Sequence, residues 1–273
     1  MGDMQDEKNV NFPKISIGIV VYNGVEHIRG CLDSIVKQSY RNIELIVVDG
    51  DSKDGTQNVL KEYAEHISVS VSEPDKGIYD AMNKVCSLAT GDWLIFLGCD
   101  DVLLDVLGKI TKLMKMPNSL YYGDVILRSC GKIYGGEFSK YRLAKANFCH
   151  QAVFYPRSVY KKYSYGFNYK MLADYEYNIK LIGIGIPFHY LGEVISVFND
   201  QGRSFVHKDP DFSRDKIKLV RASFGNTYAL VEILRAQMEQ ILDKSVIAIG
   251  FVIKRLLPYS YWKHLQSLWR RIR

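Results

Sequence analysis

The chain lacks the glycine-rich turns that most often hold phosphate on an α/β scaffold. No GxGxxG follows the first strand-like segment, and no GxxxxGK[ST] occurs anywhere. A dinucleotide-binding fold and a P-loop enzyme are therefore disfavoured. Cysteine is scarce: Cys31, Cys86, Cys99, Cys130 and Cys149 form no CxxC pair and are odd in number. Several sit inside apolar stretches, which suits reduced core thiols better than a disulfide framework. Long apolar runs are missing as well. The longest near the end, Val246 to Ile253, falls far short of the roughly 20 residues that span a bilayer. The polar start, MGDMQDEKNVN, has no hydrophobic signal region. A cytoplasmic protein with a disordered segment over residues 1–12 is expected. Acidic residues, finally, are absent from Lys254–Arg273, which carries six Lys and Arg. Removing those six from the 36 basic residues leaves a balance with the 30 acidic ones, so the net charge of +6 lies wholly in the tail. The body is neutral, and no nucleic-acid partner is expected.

What is present is ordinary globular material, 47% apolar and 24% charged over 273 residues. That suffices for one large α/β domain with an appendage. Lys14–Tyr22 (KISIGIVVY) and Ile43–Asp49 (IELIVVD) read as strands buried on both faces. Ile67–Val71 and Asp92–Leu97 continue the series, and helices are expected over Val25–Lys37, Gly55–Ala64 and Ile78–Ala89. This alternation predicts an α/β fold with a mostly parallel sheet and right-handed crossovers. From about Leu120 short strands surround one clear helix at Leu172–Ile182. Beyond about Ser213 the chain reads as helical, with apolar stripes Val231, Leu234, Met238, Ile241 and Trp262, Leu265, Leu268, Trp269, Ile272.

Ligands of such sheets bind beyond the carboxyl ends of the strands. Four polar clusters fall at those ends: Asn23, Asp49–Asp51, Glu73–Asp75 and Asp100–Asp101. Acidic residues can help bind a diphosphate only through a bridging divalent cation, and paired acids at a strand end suit such a hard oxygen site. The plainer reading of Asp100 or Asp101 is an N-cap for a helix starting near Val102. For VDGDSKDGT, carboxylate bonds to a base or ribose compete with a capping loop in which Asp54 or Ser52 starts the next helix. In SEPDKGIYDAMN, Pro74 and Gly77 shape a turn, Ala81 lets a ligand approach, and Tyr79, Asp80 and Asn83 line that side. Asp174, in the first turn of its helix, is a candidate general base. An acid favoured there by the helix dipole is the plainer reading, and Glu176 is the alternative carboxylate.

Taken together, VVYNG (20–24), SIVKQSYRNIELIVVDGDSKDGT (34–56), SEPDKGIYDAMNKVCSLATGDWLIFLGCDD (72–101) and HQAVFYPRSVY with ADYEYNIKL (150–181) resemble the large inverting glycosyltransferase family of GT-A fold. That family includes bacterial polysaccharide and lipopolysaccharide enzymes. The resemblance covers about residues 14–200. It implies a GT-A catalytic domain over 13–212, with a nucleotide-binding half (13–101) and an acceptor half (102–212), followed by a helical basic extension (213–273). By the same resemblance Tyr22, Asn23, Asp49 and Asp51 match the region that holds the base, and Asp75, Tyr79 and Asn83 border it. Asp100 matches the acid that touches the ribose, and Asp101 the ligand of Mn²⁺ or Mg²⁺. Asp174 matches the catalytic base; His150 and Gln151 match a pair near sugar or acceptor. Two departures stand out. Asp49-Gly50-Asp51 replaces two adjacent acids followed by Gly, and Cys99-Asp100-Asp101 replaces Asp-any-Asp. His207 is a further candidate metal ligand.

The implied activity is metal-dependent, inverting transfer from a nucleotide-sugar, a UDP-sugar by family frequency, to a glycan or lipid-linked glycan. Tyr259, Tyr261, Trp262 and Trp269 among the basic residues of the tail suggest peripheral docking to an anionic membrane surface at the inner leaflet. A sugar-nucleotide-forming nucleotidyltransferase would need a Gly-rich, basic phosphate loop where VVYNGVEH stands. A non-catalytic nucleotide-sugar-binding protein of the same fold is the other alternative.

Overall fold

A computed structural model of the protein describes residues 12–202, 209–238 and 241. Apolar strands and amphipathic helices alternate as the sequence predicts. In order they are β1 (Ile15–Val21), α1 (Ile28–Val36), β2 (Ile43–Asp49), α2 (Thr56–Glu62), β3 (Val69–Ser72), α3 (Ile78–Leu88) and β4 (Trp93–Gly98). The second half adds β5 (Val102–Leu103), α4 (Leu107–Ile110), β6 (Leu120–Leu127), β7 (Ile133–Tyr134), α5 (Lys140–Lys145), β8 (Val153–Pro156) and α6 (Arg157–Tyr160). Then come α7 (Ala173–Gly183), β9 (Phe188–Phe198) and α8 (Pro210–Phe224). Residues 226–238 are also helical.

The strands lie in the order β3-β2-β1-β4-β8-β6-β9-β5, with β7 on β6. The first four are parallel, with Ile15 of β1 in register with both Ile43 and Trp93. β8 then runs antiparallel to both β4 and β6, and β9 is parallel to β6. The parallel sheet expected from the alternation therefore describes the first half, and the second half is mixed. Chemistry-bearing chain ends meet at the seam between them. Ile15, Ile17 and Ile19 pack with Ile28 and Leu32 of α1 in one core, while Met82 and Val85 of α3 pack with Phe96, Tyr155 and Ile179 in the other. Both faces are thus covered, as buried parallel strands require.

At the amino ends of the strands, Glu44 ties three segments together. It accepts from Ser16 Oγ (2.6 Å), Lys14 Nζ (2.9 Å), Thr90 N (2.7 Å) and Thr90 Oγ1 (2.6 Å). Burial alone would raise its carboxyl, but these donors hold it down at about 2.

Two expectations are corrected. No helix starts at Val102; Val102–Leu103 is β5, antiparallel to β9, so neither Asp100 nor Asp101 is a helix cap. The helical extension starts at Pro210 rather than 213 and belongs to the core, with Phe212 stacked on Tyr175 at 4.9 Å and Val220 fully buried. Its cap Asp209 accepts from Phe212 N and also from Met171 N (3.0 Å), which fastens the segment leading into α7. The stripe Val231, Leu234, Met238 and Ile241 faces outward, 43–63% exposed. No helix among the described residues is long and apolar enough to cross a membrane. Residues 1–11, His207 and the basic tail from 242 lie outside the described residues, whereas Phe12 packs edge-on against Tyr40.

Candidate active site

A cavity of about 770 Å³ opens where the carboxyl ends of β1 and β4 meet the second half of the chain. It is lined by Tyr22, Asn23, Asp75, Tyr79 and Asp100 from the first half of the chain and by Asn147, His150, Gln151, Lys170, Asp174 and Asn199 from the second. Residues from sequence positions more than 150 apart thus share one space.

The loops after β1, β2 and β3 shape the part lined by Tyr22, Asn23 and Asp75. Asn23, at φ +51°, accepts from Lys53 N (3.0 Å) and donates its own N–H to Ser52 Oγ (2.7 Å). Asp49 is fully buried and accepts from Ser52 N (3.2 Å), Ser72 Oγ (2.7 Å), Gln57 Nε2 (3.3 Å) and Ser52 Oγ. Its carboxylate orders the loop and is absent from the cavity lining. Asp51, at φ +67°, pairs with Lys53 at 2.6 Å and also stays outside the lining. What reaches the cavity from this region is a pair that meets over Gly50. A Cβ on residue 50 would lie 2.7 Å from Asp75 Oδ2 and 3.3 Å from Tyr22 Cδ2. Asp75 is held by accepting from Gly77 N (2.8 Å), and the Tyr22 ring is 64% exposed at the lip. Asn83 is not brought there. Its amide clasps the backbone of Tyr165 in both directions, at 3.0 and 2.9 Å.

Asp100 and Asp101 follow β4 and behave differently. Asp101 is 1% exposed, and its oxygens accept from Gly98 N and Asn199 N, each at 2.9 Å. Burial, with the charge of Asp100 beside it, pushes its carboxyl up to about 6. Asp100 faces the cavity and accepts from Asn199 Nδ2 (2.7 Å). Gly98 lets the two converge, since a Cβ there would lie 2.7 Å from Asp101 Oδ2 and 2.8 Å from Asp100 Oδ1. Among the described residues no group of three or more His, Cys, Asp or Glu could hold a metal ion. Two converging carboxylates nevertheless fit Mg²⁺ or Mn²⁺, which take one or two carboxylates and complete their shell with substrate phosphates and water.

Asp174 occupies the first turn of α7, where the helix dipole favours a carboxylate. It is 7% exposed. Tyr79 Oη donates to its Oδ1 (3.0 Å) and Asn147 Nδ2 to its Oδ2 (2.7 Å). Burial and the adjacent negative charge drive the Tyr79 phenol far above its ordinary value, so it stays a donor. His150 Nδ1 stands 3.7 Å from Asp174 Oδ2, and Gln151 accepts from Cys149 Sγ (2.9 Å). Glu176, the other carboxylate of the helix, is paired with Lys180 at 2.7 Å and lines no part of the cavity. Asn147, Lys170 and Asn199 enter the site without any sequence motif to announce them. The closeness of Asn147 to His150 was the only available signal.

The sequence profile of Glycosyl transferase family 2 matches residues 16–168. A PGL/p-HBAD biosynthesis glycosyltransferase of Mycobacterium bovis is 36% identical over 226 residues, covering 76% of this chain and 88% of its own. A glycosyltransferase of Rickettsia prowazekii is 35% identical over 125 residues, covering 46% of this chain and 38% of its own. Among solved structures, S. aureus TarS 1-349 in complex with UDP-GlcNAc superposes with a TM-score of 0.64 at 16% identity, over 77% of this chain and 66% of that one. This chain therefore spans just under two thirds of that structure. The mannosyltransferase PcManGT from Pyrobaculum calidifontis, in complex with GDP-Man and Mn²⁺, gives 0.61 at 18% identity, over 94% of this chain and 85% of that one. At these identities both structures speak for the GT-A fold alone.

Proposed function

The chain belongs to glycosyl transferase family 2 and is a glycosyltransferase, and on that premise we propose an inverting, cation-assisted transfer from a nucleoside-diphosphate sugar to an acceptor hydroxyl. The observation that carries the proposal is the shared cavity, which Asp100 and Asp174 both line. In the reaction proposed, the acceptor oxygen attacks the anomeric carbon in line with the departing diphosphate oxygen. Its proton passes to Asp174 as the new C–O bond forms and the sugar–phosphate bond breaks. Inversion follows from a single displacement. Tyr79 and Asn147 leave each Asp174 oxygen one further acceptor position for that proton. Tyr22 offers a flat exposed ring for stacking a base, and Asp75 beside it a hydrogen-bond acceptor. Asp100, backed by Asp101, is the pair that would hold Mn²⁺ or Mg²⁺. When bound, such a cation neutralises charge gathering on the leaving diphosphate.

The donor is proposed to be a UDP-sugar, with a GDP-sugar as the competing class. TarS, which shares the fold, is solved with UDP-GlcNAc and PcManGT with GDP-Man. The acceptor is proposed to be a lipid-linked glycan or glycolipid, which the name of the mycobacterial relative supports. The exposed apolar residues Leu230, Val231, Leu234 and Met238 and the basic, Trp-bearing tail support docking at an anionic membrane face. Co-sedimentation with anionic vesicles should fall when the chain is truncated before Lys254; equal sedimentation sinks that part of the reading.

A thermal-shift screen of UDP, GDP, dTDP and CMP, each with and without Mn²⁺, tests the donor site. A ligand of the native state adds about 2.7 kcal/mol at a hundred times its dissociation constant. One diphosphate stabilising strongly, and only with metal, is the expected result. No shift with any of them would contradict the proposed donor site.

A further inference from the structure

The hydrogen bonds behind Asp174 continue well past its immediate neighbours. Asn147, which donates to Asp174 Oδ2, accepts at its own Oδ1 from Asn178 Nδ2 (2.9 Å). Asn178 in turn accepts at Oδ1 from the Tyr155 hydroxyl (2.9 Å). Asn178 and Tyr155 are fully buried, on α7 and β8. We propose that Asn147 is a positioning residue for the base, fixing the plane of the Asp174 carboxylate through a one-way line of donors that starts at Tyr155.

An amide can face a carboxylate with its NH₂ or with its oxygen, and only the first is attractive. Asn147 cannot turn over freely, because its oxygen is claimed by Asn178. Asn178 keeps its Nδ2 on Asn147 and its Oδ1 on the Tyr155 hydroxyl, which donates to it. The Asp174 carboxylate only accepts, so it fixes Asn147 with its NH₂ forward, and Asn178 and the Tyr155 hydroxyl hold that orientation from behind. A chain of aligned bonds in a low-dielectric interior also strengthens each of its members. Tyr79 presses the other oxygen from α3. Two donors from separate segments hold both oxygens, so the carboxylate does not rotate when an acceptor arrives. With Asn147 in place, His150 stays at 3.7 Å, beyond hydrogen-bond reach of the oxygen that Asn147 occupies. The titratable groups facing Asp174 are Tyr79, Cys149, His150, Tyr155, Tyr165 and Tyr175. Burial raises the phenols and the thiol far above their ordinary values.

This inference rests on Asp174 being the base, so the test separates the two. The full-length chain, labelled with ¹³C at the aspartate carboxyls, is titrated by NMR as wild type, Asn147→Leu and Asn147→Asp. Asp174→Asn identifies the resonance, and a His150→Gln background removes the imidazole contribution. Loss of a donor to a charged group should raise the Asp174 midpoint by about one pH unit or more. Asn147→Asp, nearly identical in shape, should raise it further and serves if the leucine variant does not fold. In parallel, UDP or GDP release from UDP-N-acetylglucosamine and GDP-mannose is followed with Mn²⁺. Asn147→Leu should lower kcat roughly 10- to 100-fold at unchanged KM, and should cost nothing further in an Asp174→Asn background, since the two act as a unit. Unchanged midpoints in both Asn147 variants overturn the proposal, as do losses that multiply with Asp174→Asn. Full turnover by Asp174→Asn would remove the base assignment itself, while the titration would still report whether Asn147 governs that carboxylate.

Discussion

Glu44 stands at the end of the sheet away from the cavity and makes the fold sensitive to acid. Its carboxyl lies at about 2 in the folded chain against 4.5 in a free side chain. The side chain is only 7% exposed, so solvent screens it little. A gap of roughly 2.5 pH units at 1.36 kcal/mol each corresponds to about 3 kcal/mol. Because the folded value is depressed, that stability is fully present above about pH 4.5 and is lost as pH falls through 2. Glu44→Gln cannot carry the charge that Ser16, Thr90 and Lys14 solvate. Urea unfolding at pH 7 should find the variant less stable by about 3 kcal/mol, with the two curves converging as pH drops toward 3. A difference that stays constant from pH 7 to 3 would refute the reasoning, because it would mean that packing and not charge holds this corner.

Other substitutions probe the cavity. Gly98→Ala puts a methyl 2.7–2.8 Å from both acidic side chains; it should abolish Mn²⁺-dependent stabilisation by nucleoside diphosphate while circular dichroism remains native. Tyr22→Ala removes a ring that is 64% exposed. Stability should change by no more than about 0.5 kcal/mol, while KM for the donor rises at least several-fold in initial-rate assays.

How far the sequence reached depends on what carried each signal. The alternation of β-branched runs with 3.6-residue periodicity located β1 to β4 and α1 to α3, and β2 was read at its observed limits, Ile43–Asp49. These elements are long, local and periodic. The second half defeated that approach because β5, β7 and β8 are two to four residues long and owe their existence to partners far along the chain. The start of α8 was missed for the same reason, since Asp209 is fixed as its cap partly by Met171. Within the site, residues at strand ends were legible as a group, yet their individual orientations were not. Asp49 and Asp101 accept from backbone and side-chain donors and do not line the cavity themselves, whereas Asp75 and Asp100 do. Asn147 and Asn199 were invisible because a single asparagine in an irregular segment has no period and no motif.

The most direct test of the account is turnover by paired variants. Wild type, Asp174→Asn and Asp100→Ala would be compared for release of UDP from UDP-N-acetylglucosamine and GDP from GDP-mannose with Mn²⁺, alongside calorimetric binding of the same nucleotides. The account predicts that Asp174→Asn loses 10²- to 10⁴-fold in kcat, the usual weight of a general base, at unchanged nucleotide affinity, and that Asp100→Ala loses affinity as well. Turnover that survives Asp174→Asn, or nucleotide affinity unaltered in Asp100→Ala, would contradict a site in which Asp100 serves the donor and Asp174 is the base.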